Sequence, residues 1–494
     1  MLNPLNKSLL SLAIITSATA ITGCNSDDKN SAPSITGDIN PTIAENTVEV
    51  GNYQATDPDG DTITLSLSGD SSALFSLDQS GNLEFIVAPD YDNGDVGPFN
   101  VTITATDDGK GQLSDFIDIA VTVGDVLDTP SKAAVQTIAP DYSSSEVAYI
   151  SPKSAQVTAG FYIKNASDYT ISSYNNSLYH IGRFGIDTID KYEASTPDTQ
   201  IWSYSTQDNQ DSFSRNPYDL ISVDDNKAYL LRYGSDKVWI VNPSATIAED
   251  FKIGELDLTA YVAADNTSGT PNPVSGVIND GKLFIAMQRL SDSWEPNTTY
   301  IAVFDVATDT EIETNANADD NVMGIPLEGV NPLEHSLVST NDTVYATTRN
   351  AYSSVDLSYS RIESINVDTY SVQSVLTASD ISDNTASFIK SSVVVSEELG
   401  YFYASETLFV PSYHEVSTVY QFNPSTGEIT GSNIAETGTE NISFIGLDAA
   451  NFLWLSVVDP ANPGVDIINT QNNEKVNERL STILNPFAIR FIEE

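Results

Sequence analysis

Four arginines recur at one kind of position: Arg183 closes "SLYHIGR", Arg232 "KAYLLR", Arg289 "LFIAMQR" and Arg349 "VYATTR". Each ends a mostly apolar run, in a chain with 21 Lys+Arg against 69 Asp+Glu and a formal charge of -48. A guanidinium fork matches the two oxygens of a carboxylate or phosphate. Tyr233, Trp294 and Tyr352 follow closely and supply ring faces for stacking. This combination predicts a positive arc that binds a small anionic ligand, a glycan or a surface protein. The competing reading pairs each arginine with an acid such as Asp236, Asp292 or Asp356 and makes the set structural.

No catalytic constellation competes with this arc. The three histidines, His180, His335 and His414, lie in separate repeats and lack metal-ligand spacing. The chain carries no G-x-S-x-G elbow, phosphate-binding loop or dinucleotide fingerprint. His335 follows an "NPLE" turn, which puts it on the same face as the arginines. The acidic balance excludes nucleic acid, since little here would replace the counterions around phosphates.

The arginines must be positioned by a repeat. Copies begin at Asp168, Asn216, Asn272 and Asn331, more loosely at Ser387 and Asn441, and in a short form at Asn485. Each reads as a strand, a polar turn and an aromatic-rich strand. A third strand then ends in Asn or Asp: Asp190, Asn242, Asp305, Asn366, Asn423 and Asn469. A unit of roughly fifty residues built this way is a propeller blade. Seven starts predict seven blades over residues 129–494. The last copy is too short for a blade, so its strand must join residues near 145–164 and close the ring. The blade pattern resembles the bacterial seven-bladed propellers of the amine-dehydrogenase-like and surface-layer type, which specifies a fold and leaves the function open.

Residues 34–128 read as about seven short alternating strands, an Ig-like sandwich, so the chain is all-β throughout. Its acids gather at strand ends: Glu45 in "AEN", Asp57 and Asp59 in "ATDPDGD", Asp90 and Asp92 in "APDYDN", Asp107 in "ATDDG", Asp125 and Asp128 in "GDVLD". This stretch resembles a cadherin repeat. The resemblance implies calcium chiefly at the C-terminal end that faces the next domain, through Glu45, Asp90, Asp92, Asp125 and Asp128, with Asp57, Asp59 and Asp107 at the N-terminal end. Asp92 stands where the family has Glu, Leu127 where it has a ligating Asn, and a single repeat leaves neither end with a cadherin neighbour.

Before the sandwich, Lys7, the apolar run Leu9–Ala20 and "ITGC" form a targeting segment. It resembles a bacterial lipoprotein signal over residues 1–23, which implies lipidation of Cys24, the single cysteine, followed by a polar tether over 24–33. Asn25 after the cysteine implies the outer membrane of a Gram-negative bacterium. The expectation is an exported, membrane-anchored protein with a calcium-binding spacer and a ligand-binding propeller. Adhesion to a cell or matrix protein and an enzyme acting on an acidic polysaccharide are the alternatives.

Overall fold

The computed structural model describes residues 29–492 except 92, 93, 125, 127, 128, 315–321, 355, 382–386, 411–413 and 439. The chain divides between Val126 and Leu127 into two compact units. Among the described residues there is no α-helix, only strands and short 3-10 turns.

In the first unit, Ile63–Ser68, Phe99–Asp107, Ser114–Gly124 and Thr42–Ala44 form one sheet. Glu49–Asn52, Asn82–Phe85 and Phe75–Leu77 form another. Alternation along Phe99–Asp107 sends Val101, Ile103 and Ala105 inward, where they meet Tyr53, Leu83 and Phe85. This is a two-sheet sandwich with one core.

The second unit is a seven-bladed propeller. Its innermost strands are Tyr169–Tyr174, Pro217–Asp224, Pro273–Asn279, Pro332–Thr340, Phe388–Ser396, Asn441–Leu447 and Asn485–Ile492, in blades one to seven. Each inner strand neighbours the next, and the seventh returns to the first, so the circuit is closed. In blades one to six the strands pair in chain order. In the seventh, Asn485–Ile492 pairs antiparallel with Lys132–Ile138, followed outward by Ser145–Ser151 and Gln156–Lys164. Lys132–Ile138 is a strand that the sequence pattern did not reveal.

Second strands such as Lys227–Arg232 are buried from their second residue onward, because neighbouring blades cover both faces. This explains their continuous apolar runs. The third strands end as their Asn and Asp residues demand. Asn242 accepts from the amide of Ser244, Asp305 from Thr308 and Asn423 from Ser425. Asp190 differs: it lies inside Thr188–Glu193, buried, paired with Lys164.

Candidate functional site

The turns before the inner strands define one face. Asn216, Asn272 and Asn331 all take left-handed φ (49°, 59° and 64°), which Asn tolerates better than most residues. From there each carbonyl accepts an amide at the end of its own second strand. Asn216 accepts from Tyr233, Asn272 from Gln288 and Asn331 from Arg349, at 3.0, 3.0 and 3.2 Å; in blade one Asp168 accepts from Arg183 at 2.9 Å.

These tie points correct the expected arc. Arg183 and Arg349 sit at the tie, Arg232 lies one residue before it and Arg289 one after. Successive side chains along extended backbone point to opposite sides, so a one-residue offset redirects the side chain. Arg232 turns into the blade, is 2% exposed, pairs with Asp211 and lies 4.1 Å over Trp239. Arg289, at φ 51°, donates to the carbonyls of Tyr261 and Thr298. Arg183 is also buried: it donates to Glu334 at 2.8 Å, approaches Asp168 at 3.2 Å and covers Tyr218. Arg289 and Arg349 both stay half-exposed over rings, Arg289 over Tyr300 at 4.8 Å and Arg349 over Tyr352 at 4.7 Å and Phe388 at 5.3 Å. Three of the four guanidinium groups are therefore tied to separate protein groups and Arg349 rests on rings, so they do not form one anion-binding arc.

Between the tie points lies a basin of about 340 Å³. Tyr233, Trp294 and Tyr352, expected from sequence, line it. Tyr218, Gln288, Glu334, Lys390 and Phe444 line it too and were not singled out in the sequence. Tyr218 stacks on Tyr233 at 4.7 Å, and the Tyr233 hydroxyl donates to Gln288 at 2.8 Å. Lys390 donates to Glu415 at 3.0 Å. Burial, offset by Glu415 and reinforced by Arg349, holds its amine below the usual lysine range.

The floor of the basin comes from an irregularity. Pairing in blade four jumps from Pro332–Thr348 to Leu337–Ala346, so residues 333–336 bulge toward the ring axis. His335, at φ 58°, contacts Arg490 of blade seven at 3.2 Å and meets Phe444 of blade six edge-on. It borders both the basin and a second cavity of about 340 Å³ on the axis. Burial first, then Arg490 and Arg183, push its imidazole down to about 3. His180 is fully buried between Tyr169 and Tyr162, away from the basin lining.

In the sandwich, Asp57, Asp59 and Asp107 do gather at one end. Asp107 is 2% exposed and accepts from Asn30, Gly109 and Leu113; Asp59 accepts from the amide of Ser31. Burial and then Asp57, Asp108, Asp107 and Asp59 raise the Asp61 carboxyl. At the other end Glu45 is spent on backbone, accepting from Tyr91 and Val126, both at 2.8 Å. Asp90 is described there, in the turn that holds Tyr91, whereas Asp92, Asp125 and Asp128, like Cys24, lie outside the described residues. Among the described residues no three His, Cys, Asp or Glu side chains are arranged to hold a metal ion as they stand, and no helix is long and apolar enough to cross a membrane.

No family model matches the sequence, and neither does any curated protein. Solved structures do. A protein from Lactobacillus plantarum aligns over 74% of this chain and 100% of its own, at 12% identity and TM-score 0.49. Apo AztD from Citrobacter koseri aligns over 73% and 98%, at 12% identity and TM-score 0.38. Drosophila N-cadherin EC1-3 aligns over 20% of this chain and 35% of its own, at 22% identity and TM-score 0.18. These likenesses carry nothing about function, and the propeller rests on its own strand pairing.

Proposed function

We propose that the propeller captures a small ligand in this basin, one with a flat ring body and one anionic group. The observation that carries the reading is Arg349: its guanidinium rests on Tyr352 and Phe388, beside the basin, with no acid partner among the described residues. A cation held against rings and without a carboxylate is ready for an anion, and the aromatic walls suit a planar or pyranose body. A metabolite and glycan screen on the wild-type protein, repeated on Arg349→Ala, tests this. Loss of anionic hits in the variant supports it; equal affinity in both refutes it.

The rest of the chain serves as anchor and spacer in this reading. Lipidated Cys24 tethers the protein to the outer membrane, and a Cys24→Ser variant that still partitions into detergent would exclude that. Calcium belongs at the Asp57–Asp59–Asp107 end of the sandwich. Two buried oxygens there, Asp57 Oδ2 and Asn30 Oδ1, have no hydrogen-bond partner, and crowded carboxylates gain from a hard cation with oxygen ligands. Small adjustments of the turn would have to bring them onto one ion.

A further inference from the structure

We propose that the anionic ring body in the basin is the terminal acidic sugar of an oligosaccharide chain, held along an aromatic track that starts at the basin and runs outward over blade one. The inference rests on the basin reading and names its ligand class.

The track has three stations. Trp294 and Tyr352 stand at the basin edge, 68% and 57% exposed, their loops joined by a 2.9 Å bond from Ser353 to Glu295. Next comes the Tyr218–Tyr233 stack, with Arg183 packed 4.0 Å over Tyr218. The residue after Arg183 is Phe184, 67% exposed, and the amide of Gly185 donates to Ser214 at 2.8 Å. That bond sets the Phe184 turn beside the loop carrying Phe213, which is 77% exposed. Phe184 and Phe213 do not line the basin.

Large rings this exposed add little to the fold, since water sees most of their surface. Trp294 holds φ 63°, uncommon for a bulky residue, in a turn fixed by its amide donating to Ser291 at 2.9 Å, which sets the ring at the loop tip. The arrangement decides the occupant. The rings are set at separate loop tips with polar groups between them: Gln288 beside Tyr233, Asp168 and Glu334 around Arg183, Gln207 donating to the Phe213 carbonyl at 3.0 Å. A sugar chain presents that alternation, with apolar ring faces for stacking and hydroxyls for hydrogen bonds. A protein partner instead requires one contiguous apolar centre with a polar rim.

The test is a glycan array carrying neutral and acidic oligosaccharides of one to eight units, followed by titration of the best series. Affinity should rise with chain length. Phe184→Ala/Phe213→Ala should weaken the longest chains about tenfold and dimers less than about twofold, while Trp294→Ala/Tyr352→Ala weakens both. Binding independent of length, or untouched by the phenylalanine pair, overturns the track and leaves the basin reading in place. So does a basin ligand that is not a saccharide, whereas a protein as the sole partner overturns both readings. If the basin pair also proves neutral for every ligand, the basin reading falls separately.

Discussion

Arg183 of the first blade and Glu334 of the fourth meet inside the ring, Nη1 lying 2.8 and 3.0 Å from the two carboxylate oxygens. They are three blades apart, so the pair is a strut from the end of blade one's second strand to the inner strand of blade four. A charge pair with little water contact is costly to break on one side, because the other charge is left behind. Glu334→Gln should lower stability by about 2 kcal/mol, measured in urea. It should also loosen the basin floor, seen as weaker protection of the 333–336 amides from exchange.

Arg232 and Arg349 should respond oppositely to the same substitution. Arg232→Ala leaves Asp211, at 8% side-chain exposure, with Arg215 as its remaining ion-pair partner, and should cost about 2 kcal/mol with ligand affinity unchanged. Arg349→Ala removes only ring contacts and should cost under about 1 kcal/mol while abolishing anion binding. Thermal melts and titrations on both variants check this.

Acid should destabilise the propeller through its histidines. His180 has no partner at either ring nitrogen, and burial pushes it from 6.5 down to about 3. Below pH 6.5 the unfolded chain binds protons that the folded one refuses, so stability falls as pH drops from 6.5 toward 3 and is unaffected above that window. His180→Phe, which keeps a ring between Tyr169 and Tyr162, should flatten this limb in stability profiles, leaving the share due to His335.

Millimolar calcium should raise the melting temperature of the sandwich transition and a chelator should lower it, by several degrees. Asp57→Asn should remove the difference. Identical melts of the wild type with calcium and with chelator would exclude the site.

The repeat made the propeller legible, since Asn-Pro turns, buried second strands and Asn or Asp turns are local chemistry. It also placed Tyr233, Trp294 and Tyr352 at the basin. A further signal lay unused: the residues after Asn-Pro, Tyr218, Val274, Leu333 and Phe487, all line it. The arginines misled because the end of an apolar run does not mark register: the Asn carbonyl bonds set it, and it is off by one at Arg232 and Arg289. Glu334 and His335 reach the axis through a bulge, which follows no period and leaves no trace in composition.

The strand that completes the seventh blade, Asn485–Ile492, is the propeller's last in sequence among the described residues, and its partner Lys132–Ile138 is its first. A chain emerging N-terminus first can build six contiguous blades as they appear, but it remains an open crescent until that final stretch arrives. Sealing is one late event across the longest loop in the domain, and it removes both raw sheet edges at once. Opening the crescent at this seam requires peeling the same strand, so resistance to proteases should be all-or-none, governed by one seam.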